Sequence, residues 1–503
     1  MLTGSGESKS IWVQTAQVPT FAPLNEDRSA DVCIVGAGIA GMSTAYLLAR
    51  AGQRVVVLDD GGAGSGETGR TTAHITAALD DRYYRIEAMH GEEGARLAAE
   101  SHMAAINRVE EICNLESIAC DFIRLDGYLF VAPQDSRDIL EKELAATHRA
   151  GITDTEIVAH APFDWWDSGP CLKFPNQAQF HPIRFLTGLA HCIQRDGGRI
   201  HSGSHVTSVE DGEQCTVTTS DGYKVSCVKV VVATNASVTD YVVTHAKQAP
   251  YRTYVIGARI LKGSVPPVLL WDTPHPYHYV RIQPDANFDV LIVGGEDHKT
   301  GHKHDMTERF AELESWTRER FPMIEEVLYR WSGQVMEPAD YLAWTGRSPG
   351  ATNVFMHSGD SGNGITHGVM AGILLTDMII GRENPWAKLY DPKRIRPRAL
   401  PEFAKENLDV ALQFADYILP GESLDGIQPG DGRVVLRHGK RIAVYRDDQG
   451  VLHERSAVCT HLKCIVAWNE LEKSWDCPCH GSRFDPYGQV LNGPAINGLD
   501  PIE

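Results

Sequence analysis

The chain has 503 residues, with 47 basic and 66 acidic side chains and a formal net charge of −19. That length allows two or three domains with separate cores. The acidic balance, without any basic stripe, argues against nucleic acid or an anionic membrane as a partner. The first thirty residues lack the charged start, apolar core and cleavage site of an export signal. The longest apolar stretches, such as Val369 to Ile380, fall short of the ~20 residues that span a bilayer. A cytoplasmic location and no membrane span are therefore expected. Seven of the eleven cysteines are scattered through the first 230 residues, as ordinary buried thiols in a reducing compartment would be. The other four crowd into Cys459 to Cys479.

Residues 1–30 read as an N-terminal extension. From Asp31 to Asp59 an apolar run (Val32 to Val35) leads into Gly36, Gly38 and Gly41, then an apolar-periodic helix, then a second apolar run ending in Asp59. This is the βαβ pattern of a dinucleotide site. Gly36 permits the tight turn, Gly38 lets the backbone approach a pyrophosphate, and Gly41 lets the helix pack on the strand. Asp59 stands where a ribose hydroxyl needs an acceptor. The next stretch, GGAGSGETGRTTAHIT, is a loop. Its composition fits equally a cofactor contact through Thr68, Thr71 and Thr72 or a surface turn.

Residues 86–116 have helical spacing and belong to a core. From Cys120 to Pro133 and from His201 to Ala233 the pattern changes to short strands with glycine turns. The run Val228 to Ala233 is continuous and apolar, as a parallel strand returning to the nucleotide sheet would be. Tyr251 to Ile260 and Tyr277 to Gly295 alternate, which predicts a second sheet carrying the substrate site. The loop His357 to Gly364 opens another apolar helix, whose positive end points into the molecule. These segments together favour a large dinucleotide over a nicotinamide cofactor.

Four segments, in this order, resemble FAD-dependent oxidoreductases of the D-amino-acid oxidase and glycine oxidase superfamily: the glycine triplet with Asp59, GETGRTTAHIT, VVVATNA and SGDSGNGITHG. The resemblance implies an α/β, Rossmann-like FAD domain over residues 31–385, with a substrate-domain β-sheet inserted at about 120–200 and 245–330. It implies that Gly36, Gly38, Gly41 and Asp59 hold the ADP half of FAD and that Val206 and Thr234 lie near it. Gly359 belongs to the loop that brings Gly362, Asn363, Gly364 and Ile365 to the flavin ring. Many amine-oxidising members have a Gly-x-Arg-Pro segment whose arginine grips a substrate carboxylate. Here that place reads Gly333-Gln334-Val335-Met336. A simple amino-acid substrate is thereby disfavoured. Arg281, on a strand with Tyr279, is the candidate substitute, weighed equally against an ordinary salt bridge. The loop Glu296 to His304 clusters imidazoles and carboxylates, but it lacks helix-phased metal spacing and is interrupted by Gly301. Only His298 is expected near a pocket.

Residues 386–425 read as a linker with one amphipathic helix, at about Pro401 to Tyr417. Short strands follow, then the boxes Cys459-Thr-His461-Leu-Lys-Cys464 and Cys477-Pro-Cys479-His480-Gly-Ser482. Two thiolates and two imidazoles are enough for one soft metal centre, zinc included. The full set resembles an all-β Rieske domain over residues 426–503. By that resemblance Cys459 and Cys477 ligate one iron of a [2Fe–2S] cluster, and His461 and His480 the other. It further implies a disulfide between Cys464 and Cys479, a proline loop at Gly493 to Ala495 covering the cluster, and Ser482 as a donor to a bridging sulfide. Phe484 stands where high-potential members have a tyrosine, so a lower potential is expected.

The expected function is oxidation of a small molecule, an amine or amino-acid derivative, by hydride transfer to FAD. Single electrons then pass through the cluster to an external carrier, a ferredoxin-like protein or a quinone-like acceptor. Tyr279, Arg281 and His298 are the candidate catalytic residues. The alternatives are reversed flow from an external donor and a non-enzymatic redox sensor. A Rieske oxygenase is disfavoured by the lack of a 2-His-1-carboxylate site.

Overall fold

The computed structural model describes residues 5–238, 245–302, 305–417 and 421–502. The runs Val32 to Val35, Val55 to Leu58 and Val230 to Val232 are buried, as strands covered on both faces must be. They form the centre of one sheet. Strand Arg28–Val35 pairs in parallel with Val55–Leu58 on one side and with Lys224–Val232 on the other. Val354–Ser358 extends the parallel set beyond Lys224–Val232, and Arg199–His201 extends it beyond Val55–Leu58. Helices Ile39–Arg50 and Gly364–Ile380 pack against each other on this sheet. Each begins at a carboxyl end of a strand, where open parallel sheets place their ligands.

The turn between the first strand and its helix depends on two glycines. Gly36 has φ +104°, and a Cβ there would run into the carbonyl of Ala233. A Cβ on Gly41 would strike the carbonyl oxygen of Gly36.

The second sheet is mostly antiparallel, in the order Val327–Pro338, Gln248–Ile260, Asp289–Lys299, Tyr279–Pro284, Leu269–Asp272, Ile123–Phe130, Cys171–Gln179, His74–Ile75. Its residues come from both sides of the strand Lys224–Val232, so the chain leaves the nucleotide sheet twice to build it. The long helix Tyr83–Glu116 is interrupted at Gly91, whose φ is +79°. In the linker, the helix Leu400–Gln413 gives way to a tighter turn over Phe414–Tyr417. The C-terminal part is all β: a three-stranded sheet (Gly432–Arg437, Lys440–Arg446, Leu452–Ser456) and a four-stranded one built from the Ala467–Asn469, Ser474–Asp476, Arg483–Phe484 and Val490–Asn492 strands.

The N-terminal residues are more than an extension. Trp12, in the short helix Ile11–Thr15, is fully buried, and its indole N–H donates to the carbonyl of Thr71. Ser8 and Ser5 reach the C-terminal domain. The Ser8 N–H and hydroxyl donate to Glu472, at 3.1 and 2.5 Å, and Arg483 donates to the carbonyl of Ser5. Glu472 is buried and also accepts from Arg70 (3.0 Å) and from the hydroxyl of Ser332. Arg252 and Arg483 complete the cluster, with Asp476 beside them.

Burial opposes the charge of Glu472, but Arg70, Arg252 and Arg483 outweigh it and hold the carboxyl at about 2, below its ordinary 4.5. A depressed carboxyl stabilises the fold fully above its unfolded value and loses that contribution as pH falls toward the folded one. Stability from this interface should therefore be intact at pH 5 and above and decline between pH 4.5 and about 2. Glu472→Gln leaves three arginines short of a counter-charge. By analogy with other broken buried pairs it should cost about 3–5 kcal/mol at neutral pH and flatten the acid limb of a denaturation series. Urea unfolding of both proteins from pH 2 to 7 checks this.

Candidate functional site

A continuous cavity of about 290 Å³ begins at the carboxyl ends of the first two strands and runs to the N-terminus of the helix Gly364–Ile380. At its near end are Gly36, Gly38, Asp59, Val206 and Thr234. Thr68, Thr71 and Thr72 line its middle, and Gly362, Asn363, Gly364 and Ile365 its far end. Gly41 lies behind the loop, in the packing of helix on strand. Gly359, in the same loop, packs on Pro338 and Trp344, off the cavity wall.

The Asp59 carboxylate accepts from the N–H groups of Ala37 (2.6 Å) and Gly61 (2.8 Å), which fixes it at the strand end. Burial nevertheless pushes it up to about 6. Thr68 Oγ1 accepts the first free N–H of the glycine-loop helix, that of Ile39, at 3.0 Å. A helix start with donors facing a cavity, an acid at the next strand end and backbone too tightly packed for side chains suit the phosphates and ribose of a dinucleotide. The residues present thus fit FAD.

Beyond the glycine loop the cavity is lined by the aromatic rings of His74, Trp271, Tyr277 and Tyr279. Tyr279 donates or accepts across 2.6 Å to Thr253, and Tyr277 donates to Asp80. Of the three candidate catalytic residues, only Tyr279 reaches this space. Arg281 is fully buried with its guanidinium turned away: it donates to the carbonyls of Thr72, Ala73 and Phe180 and to Gln283, and lies over the ring of Trp12. A guanidinium bonded to those carbonyls and off the cavity wall holds the threonine loop and is out of reach of a substrate carboxylate in the cavity. His298 is also off the cavity, its ring stacked on Tyr254 with centroids 5.7 Å apart. His302 lies 3.5 Å from Asp409, and His304 falls outside the described residues.

In the C-terminal domain the two boxes come together. Cys459 and Cys477 are buried side by side, thiol to thiol, and the rings of His461 and His480 lie edge to face with centroids 5.1 Å apart. The hydrogen bond between the thiols draws Cys459 down to about 7. Backbone N–H groups of His461 and Leu462 point at the Cys459 sulfur, and those of Cys479 and His480 at the Cys477 sulfur. Two soft sulfurs, two imidazoles and amides aimed at the sulfurs form the donor set of a Rieske centre. Cys464 and Cys479 form a disulfide joining the two loops, with Cα atoms 6.4 Å apart. Although their sulfurs lie within 4.8 Å of that of Cys477, the bond removes them as ligands. Ser482 hydrogen-bonds Cys459 and accepts the N–H of Ala495 at 3.0 Å.

The two sites share a wall. Val490, Leu491, Asn492, Gly493, Ala495 and Ile496, from the loop over the cluster site and the strand leading to it, line the same cavity as Gly36 and Gly362. His205 fastens that loop to the nucleotide cradle, Nδ1 on Asp60 (3.0 Å) and Nε2 on the carbonyl of Ile496 (2.8 Å).

This combination defines a flavin oxidoreductase with a built-in iron–sulfur centre, and comparison with known proteins agrees. The family FAD dependent oxidoreductase (DAO) matches residues 31–378 and the Rieske [2Fe-2S] domain matches 421–503. The chain belongs to the FAD dependent oxidoreductase family and carries a C-terminal Rieske domain. Protein YhfW of Bacillus subtilis (strain 168), whose name describes a Rieske 2Fe-2S iron-sulfur protein, is 31% identical over 98% of this chain and 97% of its own length. Gamma-glutamylputrescine oxidoreductase of Escherichia coli (strain K12) is 28% identical over 72% of this chain and 86% of its own. Among solved structures, glycine oxidase from Geobacillus kaustophilus superposes with a TM-score of 0.60 at 18% identity, covering 73% of this chain and all of that one. L-Proline dehydrogenase from P. horikoshii gives 0.61 at 18%, covering 74% and 98%. Among the described residues no helix is long and apolar enough to cross a membrane.

Phe484 is fully buried in the same core as Cys459 and Cys477. A hydroxyl placed there by Phe484→Tyr adds one donor near the sulfurs. At ~0.5–1.5 kcal/mol per hydrogen bond, a one-electron potential should rise by roughly 20–65 mV. Redox titration of the cluster's electron paramagnetic resonance signal in both proteins measures it.

Proposed function

We propose that the protein oxidises a small amine or amino-acid derivative in the flavin cavity and releases the electrons singly through the Rieske centre to an external carrier, in the cytoplasm. The carrier is a ferredoxin-like protein or a quinone-like acceptor. The observation that carries this reading is the shared wall: Ala495 lines the flavin cavity while its N–H is bonded to Ser482, which is itself bonded to the cluster ligand Cys459. A direct user of oxygen has little need of such a junction. The relatives' names support the substrate class, since each named substrate carries an amine nitrogen.

In balance, the carbon beside nitrogen gives up a hydride and the nitrogen a proton. The resulting imine takes up water to yield a carbonyl compound and an amine or ammonia, and two one-electron carriers leave reduced. FAD, when bound, supplies the conversion between paired and single electrons. The chain's own residues do the rest. The glycine loop and Asp59 hold the nucleotide half, and Tyr277, Tyr279 and Trp271 enclose the reacting carbon and exclude water. Tyr279 is the candidate that orients substrate, its hydroxyl anchored on Thr253. The cluster ligands are Cys459, His461, Cys477 and His480.

Anaerobic stopped-flow mixing of the loaded protein with a panel of amines tests the direction of flow. Flavin bleaching is expected first, followed by the reduced cluster signal. Cluster reduction preceding flavin bleaching, or no bleaching by any member of the panel, overturns the reading.

A further inference from the structure

The aromatic end of the cavity is also lined by carboxylates drawn from three separate elements: Asp80 before the helix Tyr83–Glu116, Asp297 in the strand Asp289–Lys299, and Glu337 in the strand Val327–Pro338. Asp81 stands behind, tied to Glu337 through the hydroxyl of Ser361. Asp80 is held in place by Tyr277 and by Asn363, which accepts its N–H at 3.2 Å. Asp297 is different. Its carboxyl accepts a hydrogen bond from the Thr253 hydroxyl, but Oδ1 is sealed from solvent and has no partner.

The cations near these groups stand behind the wall: Arg82 acts on Asp80, and His278, raised against burial to about 9 by Asp272 and Glu296, acts on Asp297, but neither lines the cavity. Among the described residues Arg70 is the only arginine or lysine on the cavity wall, and its guanidinium is spent on Glu472, Ser8 and the carbonyl of Ser332. Burial pushes the His74 imidazole down to about 3, so that ring is neutral. Val335 lines the cavity at the position where arginine-bearing relatives are expected to grip a carboxylate. Aromatic rings share this part of the wall, with the Tyr277 and Tyr279 centroids 5.5 Å apart and those of His74 and Trp271 5.9 Å apart.

A carboxylate withdrawn from water with acceptor sites left unfilled is costly, and it either takes up a proton or pairs with a cation. Burial raises Asp80 to about 6 and Asp297 to about 7, and lifts Glu337 well above its usual range, with Asp81 adding to the effect. Aromatic faces beside the acids attract the same ligand, since the ring quadrupole favours a cation. A zwitterionic amino acid would place its own carboxylate against these acids with no guanidinium to receive it.

We propose that this end of the cavity is a cation site and that the substrate is an alkyl ammonium compound without a carboxylate on its amine-bearing carbon, seated between Asp297, Asp80 and Glu337 and the two tyrosine rings. This deepens the amine-oxidising reading and rests on it for the chemistry, although binding is measured independently of turnover. Isothermal titration calorimetry of the flavin- and cluster-loaded protein, kept anaerobic, compares n-butylamine and 1,4-diaminobutane with glycine, L-proline and butyrate. The amines are expected to bind at least tenfold more tightly than glycine, proline or butyrate. The isosteric variant Asp297→Asn should weaken amine binding at least tenfold with flavin and iron content unchanged. Val335→Arg should reverse the order, gaining butyrate or proline and losing the amines. Amino acids binding the wild type as tightly as amines, or Asp297→Asn binding amines unchanged, overturns the proposal. The two readings fail separately. Amines that bind through Asp297 yet never bleach the flavin leave the cation site standing and remove the amine-oxidising reading, whereas bleaching by amino acids alone does the opposite.

Discussion

The arrangement of the whole molecule depends on one buried carboxylate. Glu472 belongs to the C-terminal domain, but its partners are Ser8 of the N-terminal segment, Arg70 of the threonine loop and Ser332 of the substrate sheet. A charge removed from water is tolerated only when most of its acceptor sites are filled, so the carboxylate's need for partners brings together segments that are far apart in sequence. Arg252 and Arg483 bring Asp476 into the same network, whose members are almost wholly buried. Such a contact is specific rather than merely adhesive: displacement by one hydrogen-bond length strands several charges at once. The cluster domain is therefore seated in one orientation, and the path between the two redox sites is a property of the fold rather than of a chance encounter.

That seating explains why the loop from Val490 to Ile496 has two roles. In an isolated Rieske domain the proline loop need only shield the cluster from water. Here it also closes the side of the flavin cavity, and His205 ties it to Asp60 beside the nucleotide cradle. Both partners of His205 are acceptors, so both ring nitrogens must donate. The hydrogen bond to Asp60 accordingly raises this histidine's pKa. The loop is held through this ring to the same strand end that presents Asp59. Nucleotide cradle and cluster lid are thus mechanically one part.

Much of this was legible in the chain because its signals are local. The glycine triplet, the apolar runs of the parallel sheet and the two Cys/His boxes each lie within a few dozen residues, and each residue type has a narrow chemical use. Arg281 was not legible. Strand alternation puts it on one face or the other, but only the packed structure reveals that its face is turned toward Trp12 and three backbone carbonyls. The N-terminal segment showed no periodicity and read as an appendage, because its value lies in backbone and serine contacts to partners over 460 residues away rather than in a face of its own. Asp80, Asp297 and Glu337 carry no motif and converge only through tertiary structure. The departure from Gly-x-Arg-Pro was the one sequence signal pointing toward them.

The strand Val327–Pro338 shows how the two sites constrain each other. Side chains alternate along a strand, so successive residues serve opposite faces. Ser332 bonds Glu472, and Gln334 donates to the carbonyl of Gly481, next to the cluster ligand His480. Val335 and Glu337 line the cavity, together with Gln334 and Met336, and Glu337 accepts from Ser361. One strand therefore docks the cluster domain through Ser332 and Gln334 and shapes the substrate end through Val335 and Glu337. A one-residue slip in register would put a valine against the cluster loop and take Ser332 and Gln334 from their partners there. The pairing of this strand with Gln248–Ile260 along nearly its whole length, which resists that slip, is thus required by electron transfer and by substrate recognition together.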